Sequence, residues 1–354
     1  MSVVVDHNEL RRIGRRVFAA AGSSEDEAGI IADHLVEANL KGHDSHGVGM
    51  IPSYLRNLGN GKAAANEQGH VVSDSGAFIV YDGARGYGQI VAREATLLGI
   101  ARAKENGVAV VALRNAHHIG RVGTYGEMCA VEGLVSISFV NITDQRPAVA
   151  PWRGGDARFG TNPVTIAIPG PTPDRPIIAD MATSRIAMGK VRVARNKGEQ
   201  IAGETLLGPD GQPTTDPNVM YRRPRGALLT FAEHKGYALA FIAEMLAGAV
   251  TGSGTMRPER IDNESVTNGM LLIVIDPGRM TDRSWLMDEI TAMTDYVTAS
   301  PSRNSAEPVL IPGDPERLSR AKRIAEGVPI DDETWREIAE AARGYNVLVE
   351  VPVD

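Results

Sequence analysis

The chain has 354 residues, 43% hydrophobic and 23% charged, with 44 acidic against 37 basic side chains and a formal net charge of -7. That length buries a substantial apolar core and suggests two or three lobes, while the acidic balance argues against a nucleic-acid-binding surface. Cys129 is the one cysteine, which excludes an internal disulfide framework and fits a reducing compartment.

Met1 to Asp6 turns charged quickly, without the apolar segment of a secretory signal, so a cytoplasmic location is expected. Asn8 to Ala21 carries Leu10, Ile13, Val17 and Phe18 at helical spacing, with Arg11, Arg12, Arg15 and Arg16 left for a solvated face. Ser24 followed by Glu27 predicts a capping box for a second helix, in which Ile31, Leu35 and Ala38 form the inward stripe. Gly42 is its natural stop.

The stretch Gly42-His43-Asp44-Ser45-His46-Gly47-Val48-Gly49 then concentrates a proton-transfer set at a helix end. Imidazole exchanges protons near neutral pH, and a carboxylate can fix its tautomer. An exposed polar loop with idle histidines is the competing reading of this octapeptide. A second imidazole pair, His117-His118, precedes Gly120, Gly123 and Gly126 and strengthens the case for chemistry.

Pro52 predicts a short helix ended by Gly59 and Gly61. Phe78 to Tyr81 predicts a strand, Gln89 to Lys104 a helix, Val108 to Leu113 a strand, Gly120 to Ala130 a helix and Leu134 to Val140 a strand. This alternation favours an α/β domain without specifying strand order. Val164 to Ile168 and Ile177 to Asp180 predict further strands, with Thr183 and Ser184 near the start of the next helix. Lys197 to Arg225, rich in glycine and proline, is expected as a flap or domain-crossing excursion. Phe231 to Val250 predicts the longest apolar helix; its stretch from Gly236 contains Glu244 and is too short for an ordinary membrane span. Strands at Met270 to Ile275 and Val309 to Ile311, helices at Trp285 to Ala299 and after the Pro312-Gly313-Asp314-Pro315 turn, and a final helix opened by Asp331-Asp332-Glu333 complete the pattern.

The chemical motifs of other classes are missing. There is no Gly-x-Gly-x-x-Gly run, no Gly-x-Ser-x-Gly elbow and no His-Glu-x-x-His pair. His43, Asp44, His46, His117 and His118 are plausible metal ligands, but adjacent pairs do not define a three-ligand zinc geometry. A nucleotide could still be held by exposed amides at a helix N-terminus near Gly120.

Taken together, Gly42 to Gly49, Asn115 to Gly126, Phe159-Gly160-Thr161-Asn162-Pro163, Asp180 to Ser184 and Phe231-Ala232-Glu233-His234-Lys235-Gly236 resemble the type-two, non-Rossmann malate/L-lactate dehydrogenase family. The resemblance reaches the late Gly313-Asp314-Pro315-Glu316 turn, and Gly42 to Tyr54 resembles its hydroxycarboxylate dehydrogenase branch. It implies a homodimeric α/β oxidoreductase that interconverts 2-oxo and 2-hydroxy acids, without a catalytic metal and with neither nucleic acid nor membrane as partner. The implied layout is an outer domain from residues 1–76 and 276–354 around a nicotinamide-cofactor domain at 77–275. The implied cofactor is NAD, with NADP as the alternative. Related branches reduce cyclic imino acids, and a non-catalytic small-molecule-binding protein on the same scaffold is the reading from a different class.

By the same resemblance His46 is the proton donor in reduction and a cofactor contact, with Asp44 and Ser45 in support. Gly120, Arg121 and Val122 match one cofactor-contacting turn, Ile178, Ala179, Asp180, Met181 and Ala182 a second, and His234, Asn268, Gly313, Asp314, Pro315 and Glu316 further cofactor positions. One departure stands out: Met50 occupies the place where many family members carry an arginine, four residues after the histidine. Methionine cannot pair with a carboxylate, so a less polar 2-substituent is expected there, and Arg121, Arg153 or Arg185 is the expected substitute cation.

Overall fold

The structure is a computed structural model that describes residues 2–261, 265–304 and 307–349. The chain opens with β1 (Ser2–Val5), α1 (His7–Ala20), α2 (Glu25–Leu40) and α3 (Ile51–Gly59). Ser24 Oγ caps α2 by accepting from Glu27 N at 3.2 Å. The reciprocal half of a capping box does not form, because Asn66 supplies both missing partners: its N–H donates to the Glu27 carboxylate and its Oδ1 accepts from Ser24 N at 2.6 Å.

The middle of the chain gives β2 (His70–Ser75), β3 (Phe78–Asp82), α4 (Gly88–Asn106), β4 (Val108–His117), α5 (Gly123–Val131), β5 (Val135–Thr143), β6 (Val164–Ile168) and β7 (Ile177–Met181). The excursion is longer than the Lys197 to Arg225 expected from sequence, taking in α6 (Met188–Lys197) and three two-residue strands, β8 (Leu206–Leu207), β9 (Pro213–Thr214) and β10 (Ala227–Leu228). It ends at α7 (His234–Glu244), which continues as a π-helical turn over Met245–Val250. The chain closes with β11 (Thr267–Ile275), α8 (Arg283–Thr298), α9 (Asp314–Glu326), β12 (Val328–Asp331) and α10 (Asp332–Arg343).

The main sheet has seven strands in the order β2-β3-β4-β11-β5-β6-β7. Only β3 and β4 run parallel, joined by the α4 crossover; every other neighbouring pair is antiparallel. The consecutive apolar run Met270-Leu271-Leu272 in β11 suits its central place, where both faces are buried. Helices α4 and α5 pack their buried residues, among them Val91, Ala95 and Tyr125, against Val111, Leu113, Leu272 and Val274.

A separate core joins the two ends of the chain. β1 pairs antiparallel with β12 from Ser2↔Asp331 to Val5↔Val328, and Phe18, Leu35 and Tyr54 share one buried cluster with Trp335 and Ile338. A third cluster, built on Val149, Phe159, Val191, Leu206 and Leu228, gives the excursion its own packing.

Some boundaries differ from the sequence expectation for physical reasons. The helix expected from Gly120 starts at Gly123, because Gly120 turns the chain at φ +72. The helix expected from Phe231 starts at His234, since Ala232 and Glu233 both sit at positive φ. Val309 to Ile311 joins no ladder among the described residues; a single backbone bond, Ile178 N to Pro312 O at 3.2 Å, tethers this extended stretch to β7. Strand β2 is exposed along its whole length and so lacks the alternating burial that marks a strand in sequence.

Because Trp335 is 3% exposed within the core shared by the chain ends, Trp335→Ala should cost about 3–5 kcal/mol. The measurement is the urea midpoint followed by circular dichroism. An unchanged midpoint would show that this core does not bear on global stability.

Candidate active site

The loop between α2 and α3 is held from several sides. Its short turns close through His46 N to His43 O at 2.9 Å and Met50 N to Gly47 O at 2.9 Å. Asn39, buried at the end of α2, supports it from beneath: its Oδ1 accepts from Val48 N at 2.8 Å and its Nδ2 donates to Asp44 Oδ1 at 2.6 Å. A Cβ on Gly47 would lie 2.2 Å from Asn39 Oδ1, so the absence of a side chain there lets the amide fit. Arg323 of α9 clamps Asp44 with two parallel bonds, Nη1 to Oδ1 at 2.6 Å and Nη2 to Oδ2 at 3.0 Å. Ser45 packs against Gly189 of α6, where an added Cβ would lie 2.3 Å from Ser45 Cβ.

His46 is thereby presented to a cavity of about 810 Å³, toward the upper end of the roughly 300–1,000 Å³ of typical ligand pockets. Its Nδ1 is buried without a partner. Its ring stacks on His118 at 5.4 Å between centroids and 15° between planes. His118 is in turn fixed by a chain of bonds, Gln89 Nε2 to Tyr54 Oη at 2.7 Å and Tyr54 Oη to His118 Nδ1 at 2.6 Å. The amide donates to the phenol oxygen, and the phenol and Nδ1 share the second proton of the chain. Burial lowers the His46 pKa to about 4, the Asp180 charge pulls it upward, and His43 and Arg121 push it down.

Behind this wall lies a buried ion cluster. Arg121, 2% exposed, donates from Nη1 to Glu127 Oε1 at 2.9 Å and lies 3.6 Å through Nε from Asp180 Oδ2. Lys41 Nζ meets Glu127 Oε2 at 2.6 Å. Burial alone would raise the Glu127 pKa, but Arg121 and Lys41 outweigh it and hold the carboxyl below its ordinary value. Asp180 also accepts from Thr165 Oγ1 and from Gly123 N, each at 2.8 Å.

Of the residues singled out in sequence, His46, Asp44, Ser45, Arg121 and Val122 line the cavity, joined on its other walls by Asp180, Ala182, Arg185, Pro315 and Glu316. Gly120, Ile178, Ala179, Met181 and Gly313 do not line it. Asn268 stands behind the turn at 119, its Oδ1 accepting from Ile119 N at 3.0 Å and its Nδ2 donating to Asn141 O. Asp314 is occupied by Arg175 and Arg317. His234 lies outside the lining beside Trp152, over whose ring Arg153 is stacked at 4.1 Å. Met50 is also outside it, packed against the core shared by the chain ends, so an apolar wall supplied by Met50 is not what the structure forms. Two of the helix-end amides near Gly120 are spent internally, Arg121 N on His34 Nε2 at 2.9 Å and Gly123 N on Asp180 at 2.8 Å.

Asn39, Arg323, Tyr54 and Gln89 were not singled out in sequence. Arg323, Tyr54 and Gln89 act through partners distant along the chain, and Asn39 acts on the adjacent loop through backbone and side-chain bonds that no residue spacing signals. No group of three or more His, Cys, Asp or Glu side chains suited to a metal occurs among the described residues.

Comparison with known proteins adds independent findings. The family described as malate/L-lactate dehydrogenase matches residues 5–339. Hydroxycarboxylate dehydrogenase B of Escherichia coli (strain K12) is 44% identical over 340 residues, covering 96% of this chain and 93% of its own length. A solved E. coli structure described as a malate/lactate dehydrogenase aligns at TM-score 0.93 and 43% identity, over 97% of this chain and 96% of that one. The delta1-piperideine-2-carboxylate reductase of Pseudomonas syringae pvar. tomato aligns at TM-score 0.81 and 31% identity, over 96% of this chain and 99% of that one.

Four imidazoles, His34 and His117 buried and His46 and His118 partly buried, make the fold acid-sensitive. Burial is the largest cause in each case, lowering His34 to about 3, His46 and His117 to about 4, and His118 well below its ordinary value. Below pH 6.5 the unfolded chain binds protons that the folded chain refuses, so stability is present above that pH and is lost as pH falls toward 4. Each histidine contributes at most about 1.4 kcal/mol per pH unit in that window. The thermal midpoint should drop between pH 7 and pH 5, with proton uptake on unfolding; a flat midpoint would refute the buried neutral imidazoles.

Proposed function

The chain belongs to the malate/L-lactate dehydrogenase family, and from that premise we propose that it interconverts 2-oxo acids and 2-hydroxycarboxylates with a nicotinamide cofactor, His46 exchanging the proton. The observation that carries this reading is the placement of His46: a neutral imidazole on a clamped loop, facing a cavity that combines buried charge with apolar wall.

The cavity suits such a cofactor in its chemistry. Val122, Pro163 and Ala182 offer apolar surface, while Arg185 and Lys190 provide positive charge for phosphates. When bound, the cofactor accepts hydride in oxidation and supplies it in reduction. In oxidation neutral His46 takes the hydroxyl proton of the 2-hydroxy acid; in reduction the imidazolium returns it to the 2-oxygen. Asp180 favours that imidazolium electrostatically. Asp44 and Ser45 act on the position of the loop, since the Asp44 carboxylate is engaged by Asn39 and Arg323.

We take NAD as the preferred cofactor, because Glu316 brings a carboxylate to the cavity wall that disfavours an additional phosphate. Self-association as a homodimer is supported by exposed apolar side chains on α7 and α8, among them Phe241, Ile242, Met293 and Tyr296. No helix among the described residues is long and apolar enough to cross a membrane, and a cytoplasmic location is part of the same proposal. The structural likeness to a cyclic imino-acid reductase supports one second reading, reduction of a cyclic imine bearing a carboxylate.

Turnover of 2-oxo acids, 2-hydroxy acids and delta1-piperideine-2-carboxylate, each with NAD(H) and NADP(H), separates these readings. His46→Asn should leave cofactor affinity near wild type and lower turnover of the preferred acid by roughly 10²- to 10⁴-fold. With His46 largely neutral at pH 7, wild-type reduction should also accelerate as pH falls from 8 toward 6. Near-normal turnover in a folded His46→Asn protein would remove the histidine from the chemistry.

A further inference from the structure

Three arginines line the cavity together with His46, and two of them are engaged. Arg121 is buried between Glu127 and Asp180. Arg185 is exposed and donates to the carbonyl of Glu204. The third, Arg192 on α6, is partly buried and differently placed: its Nη1 reaches Gly49 O only at 3.4 Å, and its Nε is buried without a partner.

The guanidinium lies against the same loop that presents His46. A Cβ on Gly49 would lie 2.6 Å from Arg192 Nη2, so residue 49 is bare where the arginine crosses it. One turn earlier, Gly189 seats α6 on Ser45. Among the described residues no carboxylate forms an ion pair with Arg192. Asp331, whose charge interacts with it, is occupied by Thr334 N, Thr334 Oγ1 and Asn196 Nδ2. The remaining cations of this wall, Lys190 and Lys197, are exposed. Arg192 is therefore a charged fork with unused donors, held a few residues from the proton-exchanging imidazole, while residue 50 packs into the core.

We propose that Arg192 is the substrate-carboxylate anchor of this chain, holding the 1-carboxylate of the acid whose 2-oxygen exchanges its proton with His46. The proposal rests on the dehydrogenase reading and names the residue that selects an acid. A carboxylate leaving water needs a paired cation with free donors, and a guanidinium fork satisfies both of its oxygens. The site thus recovers from a helix in the excursion the charge that position 50 lacks.

The test uses oxamate, a carboxylate analogue of a 2-oxo acid, titrated calorimetrically into the full-length protein saturated with NADH or NADPH. Arg192→Met should weaken oxamate at least tenfold, leave cofactor affinity unchanged and raise KM for 2-oxo acids far more than it lowers kcat. It should also abolish the wild-type preference for a 2-oxo acid over its methyl ester, a ratio that a purely loop-supporting arginine would leave intact. Arg192→Gln keeps a donor for Gly49 O without the charge and should behave like Arg192→Met, and Arg192→Lys should be intermediate; these two decide the matter if the methionine variant does not fold. Unchanged oxamate affinity in folded Arg192→Gln, or an unchanged acid-to-ester ratio, overturns the proposal. A wild type that binds oxamate through Arg192 yet turns over no acid with either cofactor would instead overturn the dehydrogenase reading.

Discussion

The structure of the site depends on one buried amide. Asn39 spans the end of α2 and the loop after it, accepting from Val48 N and donating to Asp44. Without that bridge the loop's polar backbone would face an apolar core, a cost that buried polar groups avoid by finding partners. Arg323 completes the arrangement from α9, 279 residues later in the chain, by donating to both oxygens of Asp44. The position of His46 is thus a tertiary property, set where the N- and C-terminal segments share a core.

The electrostatics follow from that position. Stacked on His118 and surrounded by low-dielectric walls, His46 resists protonation, and the same burial keeps His117 and His118 neutral. Arg121 adds a positive charge that opposes the imidazolium, whereas Asp180 favours it. Asp180 is well placed for this because Thr165 and Gly123 fix its two oxygens and leave the charge in place. Glu127 pairs with Arg121 and with Lys41, so the two cations face two carboxylates, Glu127 and Asp180, and the ion cluster is close to self-neutralising.

Much of the fold was legible because it is local. Helical stripes such as Leu10, Ile13 and Val17 and the apolar run of β11 carry their own periodicity, and most predicted elements lie within a few residues of those observed. The misreadings cluster where tertiary partners decide. Asn66 takes over half of the expected capping box at Ser24, positive φ at Ala232 and Glu233 delays α7, and the stretch at 309–311 has no strand edge to join. β2 was missed because an exposed edge strand shows no apolar alternation. The site divides in the same way. His46 and the His117-His118 pair were visible as clusters of one chemistry, while Arg192 was not, since nothing in its neighbourhood distinguishes it from the other basic residues of α6.

That last distinction bears on how an anionic substrate can be accommodated beside a neutral imidazole. The cation nearest the core, Arg121, is already neutralised by two carboxylates, so drawing it toward a substrate would leave buried negative charge uncompensated. A cation for the substrate must come from a side chain whose withdrawal costs little. α6 supplies a place for one: it belongs to the excursion, has its own small core through Val191, and meets the loop where Gly189 faces Ser45 and where Arg192 crosses Gly49. The stable half of the site and the charged half therefore rest on different parts of the fold. Substrate charge can be matched on α6 without disturbing the clamp that positions His46.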